Sequence, residues 1–339
     1  MTSSETIHAR APLRLSFAGG GTDFPHYFRH HGGAVLSATI DRFAAASLVP
    51  RDDERVVLRS TDLGHRVEYH REDDPDFDGV LDLAKAAIVR IGVHRGVELQ
   101  IGSDVPAGSG LGGSSALVTA VVGALAELAG RSFGPHDLAR LCYDIERVDL
   151  AIAGGMQDQY SAAFGGFNVI EFRASGVEVT PVRIPDDALL ALQEHLLLCY
   201  TGHVRKDLHL IDEQIRMYRE GREDTLLGMK GLHESAYAMR DALEAGEVER
   251  FGELLHDAYQ SKKLMNPLVV QGAPVDVLYG RARSLGASGG KLCGAGGGGY
   301  LAIFCAPQRQ ADVRRGLEEL GGRFTDFAFH PEGLRVTRT

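Results

Sequence analysis

The run Pro106-Ala107-Gly108-Ser109-Gly110-Leu111-Gly112-Gly113-Ser114-Ser115 constrains this chain more than any other segment. It lies between an alternating apolar stretch, residues 97–101, and a nearly continuous apolar stretch, residues 116–129. That order predicts strand, glycine-rich loop, helix. With no Cβ in the way, backbone N–H groups in such a loop converge on an anion. The helix that follows adds the positive end of its dipole. Two serine hydroxyls at that end can bond a phosphate or reach its metal ion. A triphosphate fits this description. Three other readings compete. Gly108-x-Gly110-x-x-Gly113 matches the dinucleotide fingerprint in form, but that motif needs an acid about 20 residues on, at the end of a second strand. Here the nearest acid, Glu127, falls inside the helix. A Walker loop needs Gly-Lys-Ser/Thr, and no lysine follows these glycines. A flexible linker seldom runs between a strand and an apolar helix.

Glycine is abundant, 42 of 339 residues, and clustered. A second cluster, Gly294-Ala295-Gly296-Gly297-Gly298-Gly299, precedes the apolar segment 300–305. By itself it reads as a turn, or as a close approach of backbone to a ligand or to the first loop. The length implies two domains. With 44% hydrophobic and 24% charged residues the chain can bury a core, which excludes disorder. A net charge of −10 argues against a nucleic-acid partner but permits phosphorylated small molecules. Cys142, Cys199, Cys293 and Cys305 form no C-x-x-C pair, so neither a disulfide framework nor a zinc site is expected. Residues 1–10 are polar, and the apolar stretch 116–126 is too short for a bilayer. No membrane partner and a reduced, cytoplasmic setting are therefore expected. A homo-oligomer is left open.

Along the chain, strands are predicted at residues 13–18, 34–40, 44–49, 56–60, 66–69, 97–101, 167–172, 177–184, 196–200, 300–305 and 324–330. Helices are predicted at 80–91, 116–129, 135–150, 156–163, 207–220, 224–245, 248–265, 275–285 and 308–320. Pro185-Asp186-Asp187 marks a composition shift, so domains 1–185 and 186–339 are expected. Strands and helices without regular alternation point to an α+β fold.

Two carboxylates stand out. Glu146 lies in the second helix after the loop, and Asp158 follows in Gly155-Met156-Gln157-Asp158-Gln159-Tyr160. A kinase needs one carboxylate to hold a metal on the phosphates and often another to accept a hydroxyl proton. Glu146 could equally be a solvated acid on a helix face, as most glutamates are, whereas Asp158 lies between apolar turns and fits that reading less well.

Three blocks now stand in order. They are Arg10-Ala11-Pro12-Leu13-Arg14-Leu15-Ser16-Phe17-Ala18-Gly19-Gly20-Gly21-Thr22-Asp23, the loop 106–115, and Lys291-Leu292-Cys293 running into the second glycine cluster. Over nearly the whole chain this resembles the galactokinase, homoserine kinase, mevalonate kinase and phosphomevalonate kinase superfamily, the GHMP kinases. The resemblance implies two domains, a first half like ribosomal S5 domain 2 and a second half like ferredoxin, with the active site between them. Within the superfamily, Phe17 to Pro25 together with Gly32-Gly33-Ala34-Val35 is most similar to the D-glycero-D-manno-heptose 7-phosphate kinases. Fucokinase-like enzymes, acting on an unphosphorylated sugar, are the alternative. Galactokinases carry Glu-His where this chain has Gly21-Thr22, which argues against galactose.

The resemblance also implies roles. ATP would lie on Pro106, Gly108, Ser109, Gly110, Leu111, Gly112, Gly113, Ser114 and Ser115. Ser114 and Glu146 would hold Mg²⁺. Asp158 would be catalytic, accepting the proton of the anomeric hydroxyl as it attacks. Gly113 stands where many relatives have another serine. Gly20, Gly21, Thr22, Asp23, Gly296 and Gly297 would meet the sugar, with Arg14, Arg205 and Lys206 available to its terminal phosphate. The product would be a 1,7-bisphosphate used for nucleotide-activated heptose and surface polysaccharide. Two rivals differ in kind. A dinucleotide-dependent oxidoreductase would bind nicotinamide and turn over no ATP. A non-catalytic sensor would be expected to lose Ser114, Glu146 or Asp158, and all three are present.

Overall fold

The computed structural model describes residues 5–202, 209–270 and 274–339. Its first sheet is built from β1 (Ile7–Ala18), β2 (Gly33–Pro50), β3 (Arg55–Ser60), β4 (Arg66–His70), β5 (Val97–Ser103), β6 (Phe167–Arg173) and β7 (Gly176–Pro181). The second holds β8 (Leu196–Tyr200), β9 (Ala287–Leu292), β10 (Tyr300–Cys305) and β11 (Arg323–Thr325) in the order β11-β8-β10-β9, all antiparallel. The last strand, β12 (Arg335–Arg338), returns to the first sheet beside β1.

β2 is the spine of the first sheet. One edge pairs with β1 along most of its length, while the other pairs first with β6 and then with β5. The strands expected at 34–40 and 44–49 are thus one strand with a bulge. Pro12 pairs with Phe43 and Leu13 with Ile40, so Asp41 and Arg42 drop out of the ladder. Pro12 has no N–H to give to a ladder, and the partner strand bulges opposite it. Asp41 is satisfied elsewhere: its N–H donates to Ala328 O at 2.8 Å and its carboxylate accepts the Ala328 N–H at 2.8 Å.

The helices are α1 (Pro25–His31), α2 (Asp82–Ile91), α3 (Gly113–Leu128), α4 (Pro135–Asp144), α5 (Gln157–Phe164), α6 (Asp186–His195), α7 (His209–Arg219), α8 (Glu223–Glu244), α9 (Val248–Met265), α10 (Val275–Ser284) and α11 (Pro307–Glu318). α3 buries Ala116, Val118 and every residue from 120 to 126, so it is covered nearly all round. It packs on β1 and β2. The second sheet is apolar on both faces. In β10, Tyr300, Ala302 and Phe304 join the large core, while Leu301, Ile303 and Cys305 join a smaller one with Val313 and Leu317 of α11. The period of two in a strand sorts them. The large core crosses between the halves, as the Phe17 and Phe251 rings meet edge to face at 5.2 Å.

Several elements differ from expectation. α6 begins at the Pro-Asp-Asp sequence read above as a boundary; proline and early acids suit a helix N-terminus. β9 was not expected, because Gly289 and Gly290 weaken a strand. They are needed for close approach: a Cβ on Gly289 would lie 1.9 Å from Gly252 O of α9. The helix expected at 135–150 stops being regular at Asp144 and continues as a wider π-type turn, Ile145–Asp149. All four cysteines are buried and unpaired. Among the described residues no helix is long and apolar enough to cross a membrane.

Candidate active site

The end of the glycine loop, the start of α5, α7, the end of α9 and the turn between β9 and β10 enclose a cleft of about 350 Å³. The two glycine clusters meet back to back at its base. Gly110 and Gly294 both have positive φ, and a Cβ on either would come within 2.6 Å of the other loop's backbone. Tyr300 N–H donates to Ser109 O at 3.0 Å across the same junction.

Arg14 of β1 fixes one wall. Its Nη1 donates to Gly110 O at 2.6 Å. Nη2 and Nε both close on Asp158 Oδ1, at 2.6 and 2.9 Å. Arg14 is 3% exposed and the Asp158 side chain 23%, so the carboxylate is the member open to the cleft. Gly112 sits between them. A Cβ there would lie 3.3 Å from Arg14 Cγ and 3.5 Å from Asp158 Cγ, on a backbone at φ +75°.

Glu146 fixes the other wall from the wide turn after α4, and it is buried. Ser114 Oγ donates to its Oε1 at 2.7 Å and Ser115 Oγ to its Oε2 at 2.6 Å. The Gln159 amide also donates to Oε2. Hydroxyl and carboxylate oxygens of this kind suit a hard cation such as Mg²⁺, which takes one or two carboxylates and fills its shell with phosphate and water. Among the described residues no cluster of three His, Cys, Asp or Glu forms a complete metal cage.

Asp23 lies in the lining of the cleft and is buried. Gly21 N–H donates to Oδ1 at 2.9 Å and Gln157 N–H to Oδ2 at 3.1 Å. Burial raises its carboxyl above the ordinary aspartate range and the charge of Asp158 adds to this, while the backbone donors oppose it. Around Gly20 and Gly21, Ser16 Oγ, Gln157 Oε1 and Gln214 Nε2 are buried with no hydrogen-bond partner among the described residues. Two buried lysines lie here, Lys262 in the cleft lining and Lys291 behind it. Lys262 Nζ donates to Leu292 O at 3.4 Å and to Gly294 O, and Lys291 Nζ to Ser16 O at 3.0 Å. Burial pushes Lys262 well below its usual range and Lys291 down to about 8.

Residues 79–166 match the N-terminal domain of the GHMP kinases and residues 239–322 match their C-terminal domain. Over 98% of its length the chain is 35% identical to a D-glycero-alpha-D-manno-heptose 7-phosphate kinase of Campylobacter jejuni, covering 99% of that protein. The chain belongs to the GHMP kinases. It is thus an ATP-dependent phosphotransferase with the two-domain fold of that family. A solved D-glycero-D-manno-heptose 1-phosphate kinase from Bacteroides thetaiotaomicron superposes with a TM-score of 0.81 at 29% identity, over 98% of this chain and 99% of that one. An L-fucokinase/L-fucose-1-P guanylyltransferase of Bacteroides fragilis is 28% identical over 99% of this chain, which spans 39% of that longer protein.

In this GHMP kinase the cleft gathers Arg14, Gly20, Gly21, Asp23, Glu146, Asp158 and Gly296. Of the expected loop residues, Gly108, Ser109, Gly110, Gly112, Gly113, Ser114 and Ser115 also line it. Four of the expected residues do not line the cleft. Thr22 is fully buried, with its hydroxyl tied to Gly19 O at 2.8 Å and to the Ala34 backbone, so it shapes the turn. Leu111 is a core residue whose carbonyl accepts the Arg14 N–H at 3.0 Å. Pro106 faces solvent outside the cleft. Gly297 turns its N–H to Val269 O at 2.7 Å, away from the cleft. Arg205 and Lys206 lie outside the described residues. The charged and amide side chains of the cleft missed from sequence are Arg147, Gln157, Gln214 and Lys262. Gln157 carried a signal, as it adjoins Asp158. The others sit on helices where their types are common on solvated faces.

Proposed function

We propose that this enzyme transfers the γ-phosphoryl group of ATP to the anomeric hydroxyl of D-glycero-D-manno-heptose 7-phosphate, giving the 1,7-bisphosphate. The observation that carries the chemistry is that Asp158 and the Glu146–Ser114 pair face one cleft with a glycine loop between them. The cleft-lining residues of the loop would hold the phosphates. Ser114 and Glu146 would hold Mg²⁺, which when bound neutralises phosphate charge. Asp158 would take the hydroxyl proton on Oδ2, since Arg14 occupies Oδ1. The acceptor oxygen then bonds to phosphorus as the bond to the ADP oxygen breaks. Arg14 orients the base, and much of the rate gain comes from positioning and preorganised charge.

A polyol acceptor is supported by Gln157 and Gln214, which line the cleft beside Gly20 and Gly21 and each hold an atom with no partner among the described residues. Buried polar groups are normally paired, and sugar hydroxyls would pair these. The heptose 7-phosphate assignment rests on the 35% identical relative. Recognition of the far phosphate is assigned to Arg205 and Lys206. The product would supply nucleotide-activated heptose and surface polysaccharide. We also divide the chain at 185/186 into two domains, with β12 lent back to the first.

The fucokinase relative supports a second reading, an unphosphorylated sugar as acceptor. ATP consumption measured against hexoses and heptoses, each with and without a terminal phosphate, separates the two. Preference for the heptose 7-phosphate is expected. Preference for an unphosphorylated sugar overturns it in favour of the second reading.

A further inference from the structure

Gly154 is not in the left-handed region, so its backbone does not demand glycine. A side chain there would only push one neighbouring group aside. A Cβ there would stand 2.4 Å from Arg147 Nη2 and 2.5 Å from Cζ. Gly154 is therefore the seat of the Arg147 guanidinium at the cleft wall.

That guanidinium is weakly engaged. Nε reaches Gly155 O and Nη1 reaches Ile152 O, each at 3.4 Å, the long limit for a hydrogen bond. Nη1 lies 3.7 Å from Glu146 Oε1. Nη2 makes no hydrogen bond among the described residues. Glu146 does not depend on Arg147, because both its oxygens already accept short bonds from Ser114, Ser115 and Gln159. In a regular helix adjacent side chains diverge by about 100°. The π-type turn Ile145–Asp149 brings both Glu146 and Arg147 to the cleft, and such turns are frequent at functional sites.

We propose that Arg147 is a catalytic residue that binds the γ-phosphoryl oxygens of the nucleotide and stabilises their charge during transfer. This rests on the reading of the loop 108–115 as the ATP phosphate site. The bonds made and broken are those given above. Arg147 exchanges no proton and forms no covalent bond. It supplies a planar fork of donors suited to two phosphate oxygens.

The test compares wild type, Arg147→Gln, Arg147→Lys and Gly154→Ala. Magnesium-ADP and the magnesium salt of β,γ-imido-ATP are titrated calorimetrically, kcat is measured, and the thermal midpoint checks folding. Losing a hydrogen bond to a charged group corresponds to about ten- to a hundredfold. Arg147→Gln should weaken the triphosphate by that factor and lower kcat, with ADP affinity unchanged and Arg147→Lys intermediate. Gly154→Ala keeps the charge but fills its seat, and should follow Arg147→Gln. The proposal is overturned if ADP and triphosphate affinities fall together, if neither falls, or if Gly154→Ala keeps the wild-type preference for triphosphate. Failure of wild type to bind either nucleotide would instead overturn the phosphate-loop reading, and Arg147 with it.

Discussion

Arg14 and Asp158 meet on a single carboxylate oxygen. Two guanidinium nitrogens close on Oδ1, and among the described residues Oδ2 accepts no hydrogen bond. The carboxylate is held in orientation while one oxygen stays available. Asp158→Asn preserves shape and removes the basic oxygen. It should lower kcat by about 10²–10⁴-fold, the usual worth of a general base. Nucleotide affinity should stay within about twofold, since Asp158 is assigned to the acceptor. Steady-state kinetics with nucleotide titration checks this, and a near-normal kcat removes Asp158 from the chemistry.

Glu146→Gln keeps hydrogen-bonding capacity toward Ser114 and Ser115 but loses the charge. The half-saturating Mg²⁺ concentration should rise by about tenfold or more, the size expected for one lost charged contact. An unchanged magnesium titration curve counts against Glu146 as a metal ligand.

Gln214 has a buried amide nitrogen with no partner among the described residues. Removing an unpaired buried polar group costs the free protein little. Gln214→Leu should therefore leave the thermal midpoint unchanged or higher, raise KM for the sugar, and leave KM for ATP alone. A lower midpoint with unchanged sugar KM would make Gln214 structural.

Lys291 is buried and its ammonium is pushed from 10.5 to about 8. Between those values the unfolded chain holds a proton that the folded one has lost, so stability rises with pH through that window. Below about pH 8 the lysine is charged in both states and the full burial penalty, about 3 kcal/mol, is present. Lys291→Met removes that penalty. The stability of the variant relative to wild type should thus be most favourable near pH 7 and decline toward pH 10. Urea unfolding at both values reads the difference, and a constant or opposite trend refutes it.

Local features were legible in the sequence. The glycine loop and the apolar helix after it are properties of adjacent residues, and so are the apolar runs 196–200 and 300–305. Motif membership was a poorer guide to which side chain faces the cleft. Thr22 and Asp23 are neighbours, yet one hydroxyl closes a turn while the carboxylate beside it lines the cleft. Lys262 was illegible because its partner Gly294 lies 32 residues away. The wide turn at Ile145–Asp149 left no mark either, since its residues fit an ordinary helix.

The return of β12 to β1 has a mechanical consequence. The polypeptide crosses between the two halves twice, once between β7 and α6 and once between β11 and β12. Thr6 and Thr339 then exchange backbone hydrogen bonds at 2.9 and 3.0 Å, clamping the returning end. With one core shared between the halves and Gly294 packed against Gly110, the two crossings and this clamp brace the base of the cleft from both ends of the chain, so that Asp158 and Glu146 face each other across a fixed floor.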